Sequence, residues 1–371
     1  MGVYKINLLT HSNNNCTVNT KLGHDSNFEK IYLQKLNSIR KQGKISMNHF
    51  TIQEQSIIRQ IVSETKKRNI DNITRTDAYF SYFKQHPDII WSFLASMVSR
   101  NGGWNMCDLE GDIFPEMLEP KMRKQLFLTY ERANWLIFHD VFPQLLLYQY
   151  STKVNQPMFH LLSYFHVSTF IQKEWHRYWK ENDKERLTTA LIINEQNVIQ
   201  TPVIEHPVYK EKVFRSILFS FQDWLHFSCV LFPTCGGEVY GASVNGFKSL
   251  SKRINLGKRL ASILFHPRLF PYFFEFAEKT THTGSRNDYE QYFKIKTGRK
   301  TPLLRTTYPV IVHHQHKYQD WSKQRIISPA WLHLPARHHH PIHLTDWYLH
   351  KSNQLHLLLS LQKSLELKKW K

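Results

Sequence analysis

Cysteine, glycine and acidic residues are the scarce components of this 371-residue chain. Its four cysteines (Cys16, Cys107, Cys229, Cys235) form no CxxC pair. They are too few for a disulfide-stapled secreted scaffold, so free thiols in a reducing, cytoplasmic compartment are expected. Thirteen glycines and fifteen prolines are too few for a turn-dense β fold or a low-complexity chain. No apolar run reaches the roughly 18 residues of a membrane span. The nearest, Ile217–Phe232, is interrupted by Gln222, Asp223 and His226. The first residues, MGVYKINLLTHSNNNC, contain no apolar stretch followed by a small-residue cleavage site. HExxH, GxSxG, Walker A and GxGxxG patterns are all missing, which lowers the prior for the protease, hydrolase and nucleotide-binding classes they mark.

What the chain has is apolar bulk and positive charge. Hydrophobic residues make up 41% and aromatics 14%, too rich for disorder. The net charge is +19, and it is unevenly spread. Residues 248–371 hold 22 Lys and Arg against 7 Asp and Glu, so +15 of the +19 lies in the last third. That asymmetry points to an anionic partner, either nucleic acid or an anionic membrane surface, or a phosphorylated ligand, against the plainer reading of a solvated basic surface.

Hydrophobic spacing predicts helices almost throughout. Residues 1–27 are polar and Asn-rich, a loose lead-in to one large helical domain over 28–371 with a sub-boundary near 200–210. Thr51 and Glu54 form a capping box ahead of Ile57, Ile58, Ile61 and Val62. Thr74 and Asp77 repeat that logic before an aromatic helix. The run HPDIIWSFLASMVSRNGGWNMCDLEGD, His86–Asp112, reads as a buried central helix stopped by Gly102 and Gly103, then a polar elbow. A stripe from Met122 to Val141 predicts a helix ended near Pro143. Further helices are expected over 157–181, after Asn182, over Lys212–Phe232 and over Phe247–Phe265. From 294 to 344 the pattern dissolves into Pro, His and basic residues, and a last helix begins at Thr345-Asp346. The fold class is all-α: a multi-helix globular array with an irregular segment before a C-terminal helix.

The run WSFLASMVSRNGGWNMCDLEGD, with the aromatic helix before it and ERANWLIFHDVFPQLLLYQ after it, resembles a family of uncharacterised bacterial proteins, the YppC-like domain of unknown function. The resemblance covers most of the chain beyond about residue 40. It implies a bacterial cytoplasmic setting and brings no catalytic residue with it.

Four groups of residues are candidates for chemistry. At the elbow, Arg100, Asn101 and Asn105 around a glycine turn could hold an anion; the plainer reading is a helix cap. On the predicted 247–265 helix, Lys252, Arg253, Lys258 and Arg259 occupy the side opposite Leu250, Ile254, Leu260 and Ile263, where they could meet phosphates or simply stay solvated. The histidines His338, His339, His340 and His343 could ligate a metal if their loop folded inward, although Pro335 and Pro341 mark it as an exposed loop. His139-Asp140, on a predicted helix, is the dipeptide of helical metal-dependent phosphohydrolases, with His86 and Asp223 available as further ligands. Chance supplies about one such pair in a chain of this composition. The leading expectation is therefore a non-enzymatic binding or scaffold protein without cofactor, and the alternative is a hydrolase centred on His139 and Asp140.

Overall fold

The computed structural model describes residues 47–206, 229–243, 246, 248–295, 297–314, 319–333, 341–355 and 357. All of them belong to one compact unit. The fold is all-α, with one two-stranded antiparallel sheet among the described residues. Helix α1 (Ile52–Arg68) starts at the expected capping box, with Thr51 and Glu54 bonding reciprocally. Helix α2 (Asn72–Gln85) starts three residues earlier than the Thr74 signal suggested. Asp71 is its N-cap, and Thr74 is the return partner of that box. Asp77, paired with Thr74 in the sequence reading, has no part in the box.

Helix α3 (Trp91–Asp108) is the centre of the array. It packs against α2, against α4 (Pro120–Val154), α6 (Lys184–Val198), strand β1 (Cys229–Pro233) and α7 (Leu250–Leu264). Burial on nearly every side explains its composition: only Val98, Gly102 and Asn105 of its 18 residues are not buried. It begins at Trp91, because Pro87 and Asp88 form the turn before it. The expected stop at Gly102-Gly103 is not there. Both glycines lie inside the helix, because a side chain at Gly103 has no room: a Cβ there would sit 2.4 Å from Asn72 Oδ1 and 2.7 Å from His282 Nε2.

Pro143 does not end α4, which is 35 residues long and continues past it to Val154. The missing N–H and the ring's crowding of the preceding turn normally cost about 3 kcal/mol. Neighbouring side chains support the backbone here. Gln144 Nε2 donates to Asp140 O at 2.9 Å, and Tyr82 Oη donates to Leu145 O at 2.9 Å. Asn155 and Asn182 close α4 and α5 (Thr169–Glu181) in the left-handed conformation, which Asn tolerates better than most residues.

The predicted Lys212–Phe232 helix needs correction at its end. Residues 207–228 lie outside the described residues, and Cys229–Pro233 is a strand paired with β2 (Val239–Ser243). The β-branched and aromatic residues on both sides of Gly236-Gly237 make a hairpin. Gly237 is required at the turn, with φ +81° and Tyr292 O only 2.5 Å from where a Cβ would stand. Helix α8 (Phe270–Lys279) and the helix over 345–355, α9, complete the array. The chain entering α9 lies along β2: Gly241 N donates to Ile342 O and Leu344 N to Val239 O. The sequence spacing of Leu355, Leu358, Leu359, Leu365 and Leu367 predicts that this helix continues, and all of these but Leu355 fall outside the described residues. Among the described residues no helix is long and apolar enough to cross a membrane.

Two apolar cores result. The larger gathers Trp91, Phe93, Phe138, Trp175, Ile192, Phe232, Ile254 and Phe273, and the smaller Met106, Phe114, Phe127, Leu136 and Leu304. Trp91 is 1% exposed, packs edge-on to Tyr79 and donates Nε1–H to Glu195 at 3.1 Å. Trp91→Ala is therefore expected to cost on the order of 3–5 kcal/mol. A urea midpoint equal to that of the parent protein would contradict the central position of α3.

Candidate functional site

The polar residues of the supposed elbow lie at 100, 101, 104, 105 and 108, spaced four apart. That spacing puts them in one stripe on α3. The stripe holds down the segment that follows α8. Arg100 donates to Ala277 O at 3.0 Å and to Thr280 O at 2.9 Å, satisfying carbonyls that the end of α8 leaves open. Arg100 is 2% exposed, and burial pushes its pKa down to about 10 against the pull of Asp288 and Asp77. Asn101 clamps β1 through Leu231, accepting its N–H at 2.7 Å and donating to its carbonyl at 2.8 Å. Trp104 Nε1 donates to Asp288 at 3.0 Å, and Asn105 Oδ1 accepts from Arg286 at 3.0 Å. Asp108 takes Arg286 Nε at 2.8 and 2.7 Å, with Nη2 at 2.6 Å.

The segment 280–301 supplies the opposite groups. His282 bridges Asp288, at 3.2 Å, and Asn72, at 2.8 Å, and burial holds its pKa below the usual value. Burial alone would raise the Asp288 carboxyl, but hydrogen bonds from His282, Thr283 and Trp104 outweigh it and keep the carboxyl below its ordinary value. Arg286 also donates to Tyr289 Oη at 2.6 Å; Tyr289 donates to Tyr348 Oη at 2.9 Å, and Tyr348 donates to Glu290. This chain of hydroxyls fastens α9 to the centre.

Against this network opens a cleft of about 610 Å³, lined by residues between Lys279 and Leu303. Its wall carries Lys279, Arg299 and Lys300, the hydroxyls of Thr280, Thr281, Thr283, Ser285 and Thr301, and the Asp288 carboxylate. Arg299 is 5% exposed and sits 3.3 Å from Asp108 Oδ1 without a hydrogen bond. Burial works against its charge, but Asp108 together with the Tyr348 and Tyr289 hydroxyls more than offsets that, so its pKa lies above the ordinary value. Lys279 is exposed and pairs with Glu275 at 2.6 Å.

The other sequence candidates stand elsewhere. Lys252 is exposed, but the expectation that all four basic residues of α7 face solvent is wrong. Arg253 is 3% exposed and donates to Gln196 and Gln200. Lys258 is 5% exposed and donates to Trp331 O and His333 O. Arg259 is half-buried. Long side chains let a nominally polar face wrap onto its neighbours. His338, His339 and His340 lie outside the described residues. His343 bonds Thr345 and packs edge-on to Tyr240. His139 stacks flat on Trp135, with ring centroids 4.8 Å apart. Asp140 Oδ2 accepts from Gln144 at 2.8 Å and Asn194 at 2.6 Å. His86 stacks on Tyr82, and Asp223 is outside the described residues. Among the described residues no three His, Cys, Asp or Glu side chains are grouped to hold a metal ion.

A family model described as "Protein of unknown function (DUF2515)" matches residues 67–348. The chain belongs to this family. It is also 48% identical over 322 residues to the "Uncharacterized protein YppC" of Bacillus subtilis (strain 168), a match covering 85% of this chain and 99% of that protein. No solved structure matches. The DUF2515 span contains the whole α3 stripe, the cleft and Tyr348. Sequence reasoning missed Arg286, Arg299, Tyr289 and Tyr348 as partners of the stripe. The available signal was the segment THTGSRNDYE, where nine hydrogen-bonding side chains flank Gly284 at φ +83°.

Two tests follow from this geometry. Asp108→Ala would leave two buried guanidinium groups without their carboxylate, and is expected to cost on the order of 3–5 kcal/mol in urea unfolding. The second concerns Asp140, where burial raises the carboxyl to about 7 against the hydrogen bonds from Asn194 and Gln144. Unfolded, that group titrates near 3.9. Between those values the folded protein binds a proton that the unfolded chain has lost, so this group reduces stability as pH rises from about 4 to 7. Asp140→Asn should therefore gain on the parent protein across that window. Thermal midpoints at pH 5 and pH 7 that move in parallel for the two proteins would contradict it.

Proposed function

We propose that this DUF2515 protein binds an anionic, phosphate-bearing partner, and that the cleft lined by residues 279–303 makes the contact. The observation that carries this reading is the balance of charge. Lys279, Arg299 and Lys300 line the cleft, and Arg100 and Arg286 lie close behind it. Asp288 and Asp108 oppose them there, with Glu275 on Lys279. Walls of low dielectric with an excess of one sign of charge concentrate counter-ions, and here the cations outnumber the carboxylates. The +15 of residues 248–371 would raise the encounter rate with any polyanion. The unpaired thiols of Cys107, Cys229 and Cys235 support placing this activity in a reducing cytoplasm.

The hydrolase reading has less support. Asp140 presents one oxygen to two amide donors, and His139 lies against an indole, whereas metal ligation needs lone pairs directed at a common point.

A salt titration tests the proposal. Binding to duplex DNA or to anionic liposomes should weaken steeply with ionic strength, with a log–log slope of about −0.9 per phosphate contact for the duplex. Lys300→Glu should flatten it. Lys252→Glu, on the exposed side of α7, serves to separate the cleft from general surface charge. A protein that ignores DNA, RNA, anionic liposomes and free phosphates at about 50 mM salt, where such contacts are strongest, does not have this function.

A further inference from the structure

We infer that the natural ligand of the cleft is a small phosphorylated molecule, its phosphate received by Arg299. This rests on the anion-binding reading above and names the ligand class. The side chain of Arg299 is 5% exposed, and its enclosed Nη2 meets the Asp108 carboxylate at 3.3 Å without forming a hydrogen bond. Among the described residues its guanidinium makes no hydrogen bond at all, although it carries five N–H donors in a rigid planar fork. Buried donors in folded proteins are nearly always satisfied, and one that is not marks a place for water or an ion.

Asp108 does not fill that role. It lies 3.3 Å away and offsets the charge, but both its oxygens already accept from Arg286. Arg299 therefore has its charge balanced and its donors idle. A phosphate group supplies several oxygen acceptors in a geometry that matches the guanidinium fork. Lys300 and Thr281, both exposed on the same cleft wall, can reach further oxygens, and Thr281 donates to nothing else among the described residues. About 610 Å³ is more than a bare phosphate needs and lies in the usual range for small-molecule sites. Tyr292 and Leu303 give the remainder of such a molecule an apolar wall.

Isothermal titration of the full chain with inorganic phosphate and with phenyl phosphate tests this, with duplex DNA and anionic liposomes run in parallel. Both phosphates should bind at one site, phenyl phosphate more tightly because of the apolar wall. Arg299→Gln should weaken both by about tenfold or more, the loss of at least one charge-assisted hydrogen bond. Since Arg299 also lies against Asp108, Lys300→Glu is the second variant. Its side chain is exposed, so the melting temperature should stay put while phosphate binding drops. Silence toward both phosphates, with DNA or liposomes still bound in a salt-sensitive way, would overturn the small-ligand inference and leave the anion-binding reading standing. Phosphate binding that both variants leave unchanged would place the ligand elsewhere and overturn it too. Silence toward every probe would overturn both readings.

Discussion

The ion pair between Asp108 and Arg286 is the contact on which the rest of the arrangement depends. Both side chains are almost fully enclosed, so each charge has lost its water. Removing a carboxylate and a guanidinium from water costs several kcal/mol apiece, and Coulomb attraction offsets that only with good geometry and complete hydrogen bonding. Arg286 meets the condition: Asp108, Asn105 and Tyr289 together occupy all three of its nitrogens. Through Tyr289 the same group reaches Tyr348 and Glu290, and so fixes α9. Neither charge can be exposed without opening the contact between α3 and the 280–301 segment.

The all-α class and most helices were legible in the sequence, because apolar spacing is a local property. The start of α2 was misplaced within one local capping box, but the stops wrongly expected at Gly102-Gly103 and Pro143 depended on neighbours distant in the chain. Gly103 looks like a stop signal, yet it marks the close approach of Asn72 and His282 to a continuing helix. Pro143 looks like a break, yet Tyr82 and Trp175 support the turn around it through Leu145 O and Gln144. Arg253 and Lys258 look solvated because their faces were judged by charge alone. The Gln196 and Gln200 side chains and the Trp331 and His333 carbonyls that bury them come from other parts of the chain. Arg100, Asn101 and Asn105 stood out in the sequence as an anion site or a helix cap, but they lie within α3. Their meaning was not readable, since the partners lie some 130 to 180 residues further on.

A second polar layer works by the same physics with amides in place of ions. Asp140 accepts from Gln144 and Asn194; Asn194 Oδ1 accepts from Ser168 at 2.8 Å and Trp321 at 2.9 Å, and Gln144 accepts from Trp175 at 2.9 Å. One carboxyl thus joins α4 and α6 directly and reaches α5 and the 320s through amides. In an array where most contacts are apolar and tolerant of sliding, such directional bonds select one packing among many similar ones. That gives the His139-Asp140 dipeptide a structural reason to exist.

Arg299 is the exception that separates two requirements usually met together. A buried cation needs its charge opposed, and it needs its donors filled. For Arg286 one carboxylate and its neighbours do both. For Arg299, Asp108 opposes the charge while its oxygens face another arginine. A ligand at this position would therefore be selected less by charge than by the number and direction of its oxygen acceptors. Chloride, a charge without directed lone pairs, would gain little there. A tetrahedral oxyanion would gain from each N–H it meets, and Asp108 would temper its attraction enough to keep binding reversible.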